Sequence, residues 1–98
     1  MSDRYPFLMI PIEMVEDDRL NSAQLILYGL IYSSFIGESY CGLKNSYFSR
    51  IMRTSESSIL RHLDTLERCG YIERQVLRRE ATNEVIERRI FIISKENK

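Results

Sequence analysis

The chain has 98 residues, 44% of them hydrophobic and 10% aromatic, which is the composition of one folded domain and excludes a charge-rich, disordered chain. Its 14 basic and 14 acidic side chains cancel, so overall charge alone gives no reason to expect a polyanionic partner. No apolar run approaches the ~18 residues of a membrane span, and no signal-peptide layout precedes the first apolar stretch, so a cytoplasmic protein is expected.

The charges are unevenly placed. Residues 1–40 carry two basic against six acidic side chains and residues 41–98 carry twelve against eight, which makes a basic face possible in the second half. The alternative is mixed, solvated surface charge. Two cysteines, Cys41 and Cys69, and a single histidine, His62, cannot make a zinc site, and both thiols are expected to be small buried hydrophobes.

Residues 1–20 are predicted to form an extended arm, because Pro6 and Pro11 interrupt the apolar segment from Tyr5 to Ile12 and remove ladder donors. The stretch after Pro11 reads as a turn or one loose helical turn. Asn21 or Ser22 then caps a first long helix over 21–37, ending at Gly37. Ala23, Ile26, Leu27, Leu30 and Ser34 lie on one side of it and Leu25, Tyr28, Tyr32 and Phe35 on another. A thin stripe at Ser22, Gly29 and Ser33 is weakly polar, so burial on most sides is expected. Tyr28, Tyr32 and Phe35 make an aromatic ridge. Either the arm covers it within one chain, or it pairs two copies into a homodimer, which is the expectation.

Residues 40–43 can supply a short strand. Asn45 is the expected cap of a second helix over 45–52, with Tyr47 or Phe48 and Ile51 facing inward, and Arg53 and Thr54 make the turn that follows. A third helix is predicted over 55–70. Ser55 is its N-cap, Glu56 suits the positive end of its dipole, and Gly70 stops it in the left-handed conformation. Ile59, Leu60, Leu63 and Leu66 are expected on a core arc, with Ser57, Ser58, Arg61, Thr65 and Arg68 on the opposite one. Two β-rich segments within 71–94, separated by a polar stretch, read as a hairpin whose loose tip lets Asn83 take a positive φ. Residues 95–98 look like a frayed tail or the first residues of a linker.

The run Ser55, Ser57-Ser58, Arg61-His62-Leu63, Leu66, Gly70-Tyr71-Ile72 resembles the recognition helix of bacterial winged helix-turn-helix proteins. Arg53 and Thr54 stand where that family has glycine and an aliphatic residue, and Leu60 where it has a polar one. Ile10-Pro11, Asp17 with Leu20, Leu27-Tyr28, Tyr40-Cys41, and Asn45 with Tyr47 resemble the opening of domains at the N-terminus of plasmid and phage replication initiators of Gram-positive bacteria. The resemblance implies an α+β winged helix-turn-helix fold of three helices, a short strand and a C-terminal wing hairpin. It also implies sequence-specific binding of double-stranded DNA in a replication initiator. The alternatives are a small transcriptional repressor and a winged helix serving as a protein-interaction module.

On that reading Arg61 contacts guanine bidentately in the major groove, with Ser57, Ser58, Thr65 and Arg68 beside it. Arg78, Arg79, Arg88 and Arg89, lying at matching heights on the wing, are expected to meet phosphates or the minor groove, and Lys44 is a further expected DNA contact. The competing pairings are Arg61 with Asp64, and the wing arginines with Glu73, Glu80, Glu84 and Glu87. Glu56 and Asp64 would repel phosphates, although Glu56 can accept from a cytosine amino group. His62 is expected to pack. With no Gly-rich phosphate loop, metal constellation or paired carboxylates, the sequence predicts a non-enzyme without cofactor, metal or small-molecule substrate.

Overall fold

A computed structural model of the protein describes residues 7–35 and 39–93, in which four helices precede a two-stranded antiparallel hairpin. The helices are α1 (Ile12–Val15), α2 (Ser22–Phe35), α3 (Asn45–Met52) and α4 (Glu56–Arg68); the strands are β1 (Ile72–Arg78) and β2 (Val85–Ile92). The chain is a small α+β domain whose α1, within the predicted arm, is a single turn of the kind the sequence allows after Pro11, added to three longer helices. Expectations placed on Tyr5, Pro6, Gly37 and residues 94–98 lie outside the described residues. No helix among the described residues is long and apolar enough to cross a membrane.

The additional helix lies inside the predicted arm. Pro11, at φ −61°, presents its carbonyl to the N–H groups of Met14 and Val15 at 3.0 and 3.3 Å, closing one helical turn. Met14 is thereby turned into the core and Ile12 and Val15 toward solvent.

α2 opens on a reciprocal cap. Asn21 Oδ1 accepts from the Gln24 N–H at 3.1 Å, and Gln24 Oε1 accepts from the Asn21 N–H at 2.8 Å, so Asn21 rather than Ser22 is the cap. Gly29, read from sequence as part of a polar stripe, is buried. The segment at 8–10 crosses α2 there so closely that a Cβ on residue 29 would stand 2.9 Å from Leu8 Cβ and 3.4 Å from Ile10 Cγ1, which only glycine permits. Tyr28 is buried too, edge-on to Tyr71 at 6.4 Å and stacked on Tyr32 at 6.2 Å. Tyr28 is therefore not open for pairing two copies, because its own chain covers it; Tyr32 and Phe35 remain half-buried.

α3 begins without a side-chain cap. Lys44, not Asn45, flanks it, extended at φ −87° and ψ 157°. Phe48 enters the core, while Ile51 stays exposed where the sequence places it inward. Arg53 ends α3 in the left-handed region at φ 57°. Ser49 secures the following turn: its carbonyl accepts from the Thr54 N–H at 3.0 Å and its hydroxyl donates to the Thr54 carbonyl at 2.6 Å.

Ser55 caps α4, its Oγ accepting from the Ser58 N–H at 3.1 Å. At the other end Gly70 takes φ 85° and completes a Schellman turn, with its N–H on the Glu67 carbonyl and the Tyr71 N–H on the Leu66 carbonyl, both at 3.0 Å. Ile59, Leu63 and Leu66 are buried, but Leu60 is 46% exposed. At about 100° per residue Leu60 falls about 60° beyond Leu63 and farther still from Leu66, off the core arc to which the sequence assigns it.

β1 and β2 pair in register from Ile72↔Ile92 to Leu77↔Glu87, then slip, so that Arg78 stands opposite Val85. Asn83 takes φ 61° at the tip, donating to the Arg79 carbonyl at 2.6 Å. The strand predicted over 40–43 contracts to one residue, Cys41, which exchanges both backbone bonds with Ile90 at 2.8 and 2.9 Å. Cys41, Ile72 and Ile90 join Leu27, Ile31, Phe48 and the buried residues of α4 in one core cluster. Each large side chain buried there is worth about 1.5–3 kcal/mol. Cys41 and Cys69 form no disulfide, and burial pushes the Cys41 thiol pKa up, keeping it protonated. Asp17 ties the N-terminal segment to the start of β1, accepting from the Tyr71 hydroxyl at 2.7 Å and from Arg19 Nη2 at 2.7 Å.

Candidate nucleic-acid interface

The outward side of α4 is a stripe of hydroxyls and guanidiniums joined to one another. Arg61 Nη2 donates to Ser58 Oγ at 3.1 Å, the Thr65 hydroxyl donates to the Arg61 carbonyl at 3.1 Å, and Arg68 Nη2 reaches Thr65 Oγ1 at 3.4 Å. Ser57 lies beside the cap, its Oγ 3.1 Å from Ser55 Oγ. Ser57, Arg61 and Arg68 are exposed; Ser58 and Thr65 are half-buried. The structure thus brings all five predicted readout residues onto one helix face. Thr65 bonds the carbonyl one turn back, as a hydroxyl in a helix does, and its methyl and oxygen still edge the stripe.

The pairing of Arg61 with Asp64 is not made. Asp64 is taken instead by Arg74 of β1, whose Nη2 lies 2.5 Å from Asp64 Oδ1 and whose Nε lies 2.8 Å from Glu67 Oε1. Two of the acidic groups on α4 are therefore matched from the hairpin, and Arg61 stays available to an outside acceptor. Sequence reasoning passes over Arg74. The signal was present in the strand alternation: Ile72, Arg74 and Val76 share one hairpin face, and an arginine on the face packed against a helix needs carboxylates there.

The hairpin arginines do not lie at matching heights. The slip puts Arg78 opposite Val85 near the tip, whereas Arg88 and Arg89 stand opposite Val76 and Gln75, nearer the base. Arg78 donates to the Asn83 carbonyl at 3.2 Å and Arg79 pairs loosely with Glu84 at 3.7 Å, both exposed. Arg89 is withdrawn from the phosphate-contact role, because Glu87 holds it at 3.1 Å and its guanidinium sits 4.5 Å over the Tyr40 ring, while the Tyr40 hydroxyl donates to Glu87. Arg88 is exposed and makes no ion pair among the described residues. It borders a cleft of about 260 Å³ with Lys44, Val85 and Ile86, which brings the two predicted DNA contacts Lys44 and Arg88 together.

No family model, curated protein or solved structure matches the chain. What the surface can do chemically follows from its donors. Guanidiniums and hydroxyls at one helix face suit acceptors on base edges, and exposed cations at the hairpin tip and at Lys44 suit phosphate oxygens. Among the described residues no three His, Cys, Asp or Glu side chains converge to hold a metal.

His62 lies behind the stripe rather than on it. Its Nδ1 is 3.1 Å from Gln24 Nε2, and since Gln24 Oε1 is occupied by the cap of α2, the amide donates and the imidazole accepts. Burial, and then the charge of Arg61, lower the His62 pKa, so the ring is neutral. The α2 cap and the back of α4 are thus one hydrogen-bonded unit.

Proposed function

We propose that the chain is a sequence-specific, double-stranded DNA-binding domain of the winged helix-turn-helix type, with α3 and α4 as the helix pair and the hairpin as the wing. The observation that carries this reading is the single outward face of α4 bearing Ser57, Ser58, Arg61, Thr65 and Arg68, with Asp64 neutralised from the hairpin. A helix of this breadth fits the major groove, and an arginine without a carboxylate partner is the side chain best suited to guanine O6 and N7. The protein acts on this view by binding, in the cytoplasm, without catalysis or a cofactor.

The resemblance to plasmid and phage replication initiators gives the role we favour; a small repressor would use the same face. Two copies joined through Tyr32 and Phe35 would present two α4 helices to a palindromic site, spaced about 34 Å apart. A protein-interaction module is the second reading, favoured by Ile12 and Val15, which are exposed on α1 beside Glu13 and Glu16.

Retention on heparin at low salt, followed by gel shifts on DNA upstream of the gene and from the associated replication origin, tests the proposal. Salt-sensitive retention and a discrete shift on one of these DNAs are expected. Failure to bind any duplex at low salt overturns the DNA reading and leaves the interaction module.

A further inference from the structure

The apolar residues of α4 divide sharply. Ile59, Leu63 and Leu66 are fully buried, while Leu60 stands beside Arg61 with 46% of its surface open. Leu60 does not face bulk solvent alone. With Val76, itself exposed, and with Leu43, it walls an open groove of about 350 Å³ between α4 and the hairpin, and Arg88 stands at the rim. Arg74, which also borders the groove, is committed to Asp64 and Glu67, whereas Arg88 has no ion pair among the described residues. The groove therefore offers an apolar wall, one uncommitted cation and the flank of the helix face that carries Arg61.

These properties select among the edges a duplex displays. The major groove is lined with donors and acceptors except at one group, the C5 methyl of thymine, and a leucine has nothing to offer the others. Leu60 precedes Arg61 by one residue and so points about 100° around the helix from it, toward the hairpin, which lets the two side chains meet neighbouring base pairs. The free guanidinium of Arg88 complements the phosphates flanking that step, which a neutral apolar peptide in the groove would leave unanswered.

We infer that Leu60 is a specificity-determining residue that packs on a thymine methyl next to the base pair read by Arg61, so that the preferred duplex contains thymine at that step. This rests on the DNA-binding reading above and adds the identity of one base to it.

The test starts from a random-sequence duplex pool enriched on the intact chain. Each thymine of the enriched duplex is then replaced in turn by uracil, which removes the methyl and nothing else. One position should lose about fourfold in affinity, the worth of one buried methyl group, and Leu60→Ala should bind the thymine and uracil duplexes equally. Leu60→Gln should also lose the thymine preference, and Leu60→Met should retain it; circular dichroism of each variant should match the wild type, since the side chain is half open. A duplex whose thymines can all be replaced without loss, or a thymine preference that persists in Leu60→Ala, overturns the inference while leaving DNA binding intact. Leu60→Gln with unchanged affinity and preference also overturns it. Failure to enrich any duplex overturns the DNA reading itself, and this inference with it.

Discussion

Arg74 of β1 grips Glu67 of α4 twice, its Nε 2.8 Å from Oε1 and its backbone N–H 3.3 Å from Oε2, while the same guanidinium holds Asp64. Burial works against the arginine's charge, and the two carboxylates more than offset it, leaving its pKa raised. Partly exposed pairs of this kind are each worth about 1 kcal/mol or less, well below one buried leucine. Their main effect is geometric and electrostatic: they fix the hairpin against the helix and neutralise two carboxylates of α4.

Arg74→Gln should accordingly lower the unfolding free energy by only about 1–2 kcal/mol in urea titrations, yet weaken duplex binding by exposing two carboxylates. Adding Asp64→Asn and Glu67→Gln should restore affinity without restoring stability. A binding defect that persists in the triple variant would mean that Arg74 touches DNA directly.

Arg61→Ala should weaken the preferred duplex by about 1–3 kcal/mol and leave random DNA nearly unaffected. Fluorescence anisotropy on both duplexes decides this. Equal losses would reduce Arg61 to a phosphate contact.

The hairpin arginines should separate by salt dependence. Arg88→Ala should shallow the slope of log K against log salt by about 0.9, and the Arg78→Ala, Arg79→Ala double variant by up to roughly twice that, since each phosphate neutralised releases condensed counterions. Arg89→Ala should leave the slope alone, because Glu87 and Tyr40 already hold that guanidinium. A slope that responds to Arg89 and not to Arg88 would place DNA on the other hairpin face.

Acid should weaken the fold in two stages. Folded His62 binds its proton less readily than the unfolded residue, whose pKa is about 6.5, so its contribution is complete above that pH and falls as pH drops below it. Protonation would set an N–H against the Gln24 amide and disturb the α2 cap. Arg19 first, and then the Tyr71 hydroxyl, hold the Asp17 carboxyl well below the usual carboxylate range, so its contribution is present above about pH 3.9 and is lost as pH falls through and below that value. Urea midpoints at stepped pH should show both declines, and His62→Gln should remove the first alone. An unchanged first decline in that variant would assign it elsewhere.

Arg53→Gly should stabilise the domain by about 1 kcal/mol, because a non-glycine residue at φ 57° bears the left-handed penalty that glycine avoids. Thermal melts measure it. A destabilised variant would show that the guanidinium contributes more to the fold than its backbone costs.

Local chemistry was the readable part of the sequence. Ser55 and Gly70 mark the ends of α4 because a cap and a left-handed stop depend on the residue and its immediate neighbours. The outward placement of Arg61 and Arg68 followed from helical angle alone. Leu60 and Arg74 were illegible for the opposite reason: whether a leucine 60° off the core is covered, or an arginine finds carboxylates, depends on where the hairpin packs. Gly29 looked polar because nothing in its own helix announces that another segment will cross it. The hairpin slip at Leu77 displaced Arg78 from the heights that counting residues assigns, and only pairing geometry could supply it.

The hairpin is a cantilever. Its base is clamped by Ile72 and Ile90 in the core, by the Cys41 bridge, by Arg74 on α4 and by the Tyr40 hydroxyl on Glu87, whereas every side chain from Leu77 to Glu84 is exposed. A beam held so bends most easily just past its clamp, so the tip can swing through an arc whose pivot lies near Val76 and Arg88. If the chain binds DNA as proposed, Arg78 and Arg79 would follow a phosphate backbone whose path varies, while Arg88, at the pivot, would hardly move. Compliance grows along the beam, from a rigid reader at α4 to an adaptable follower at the tip.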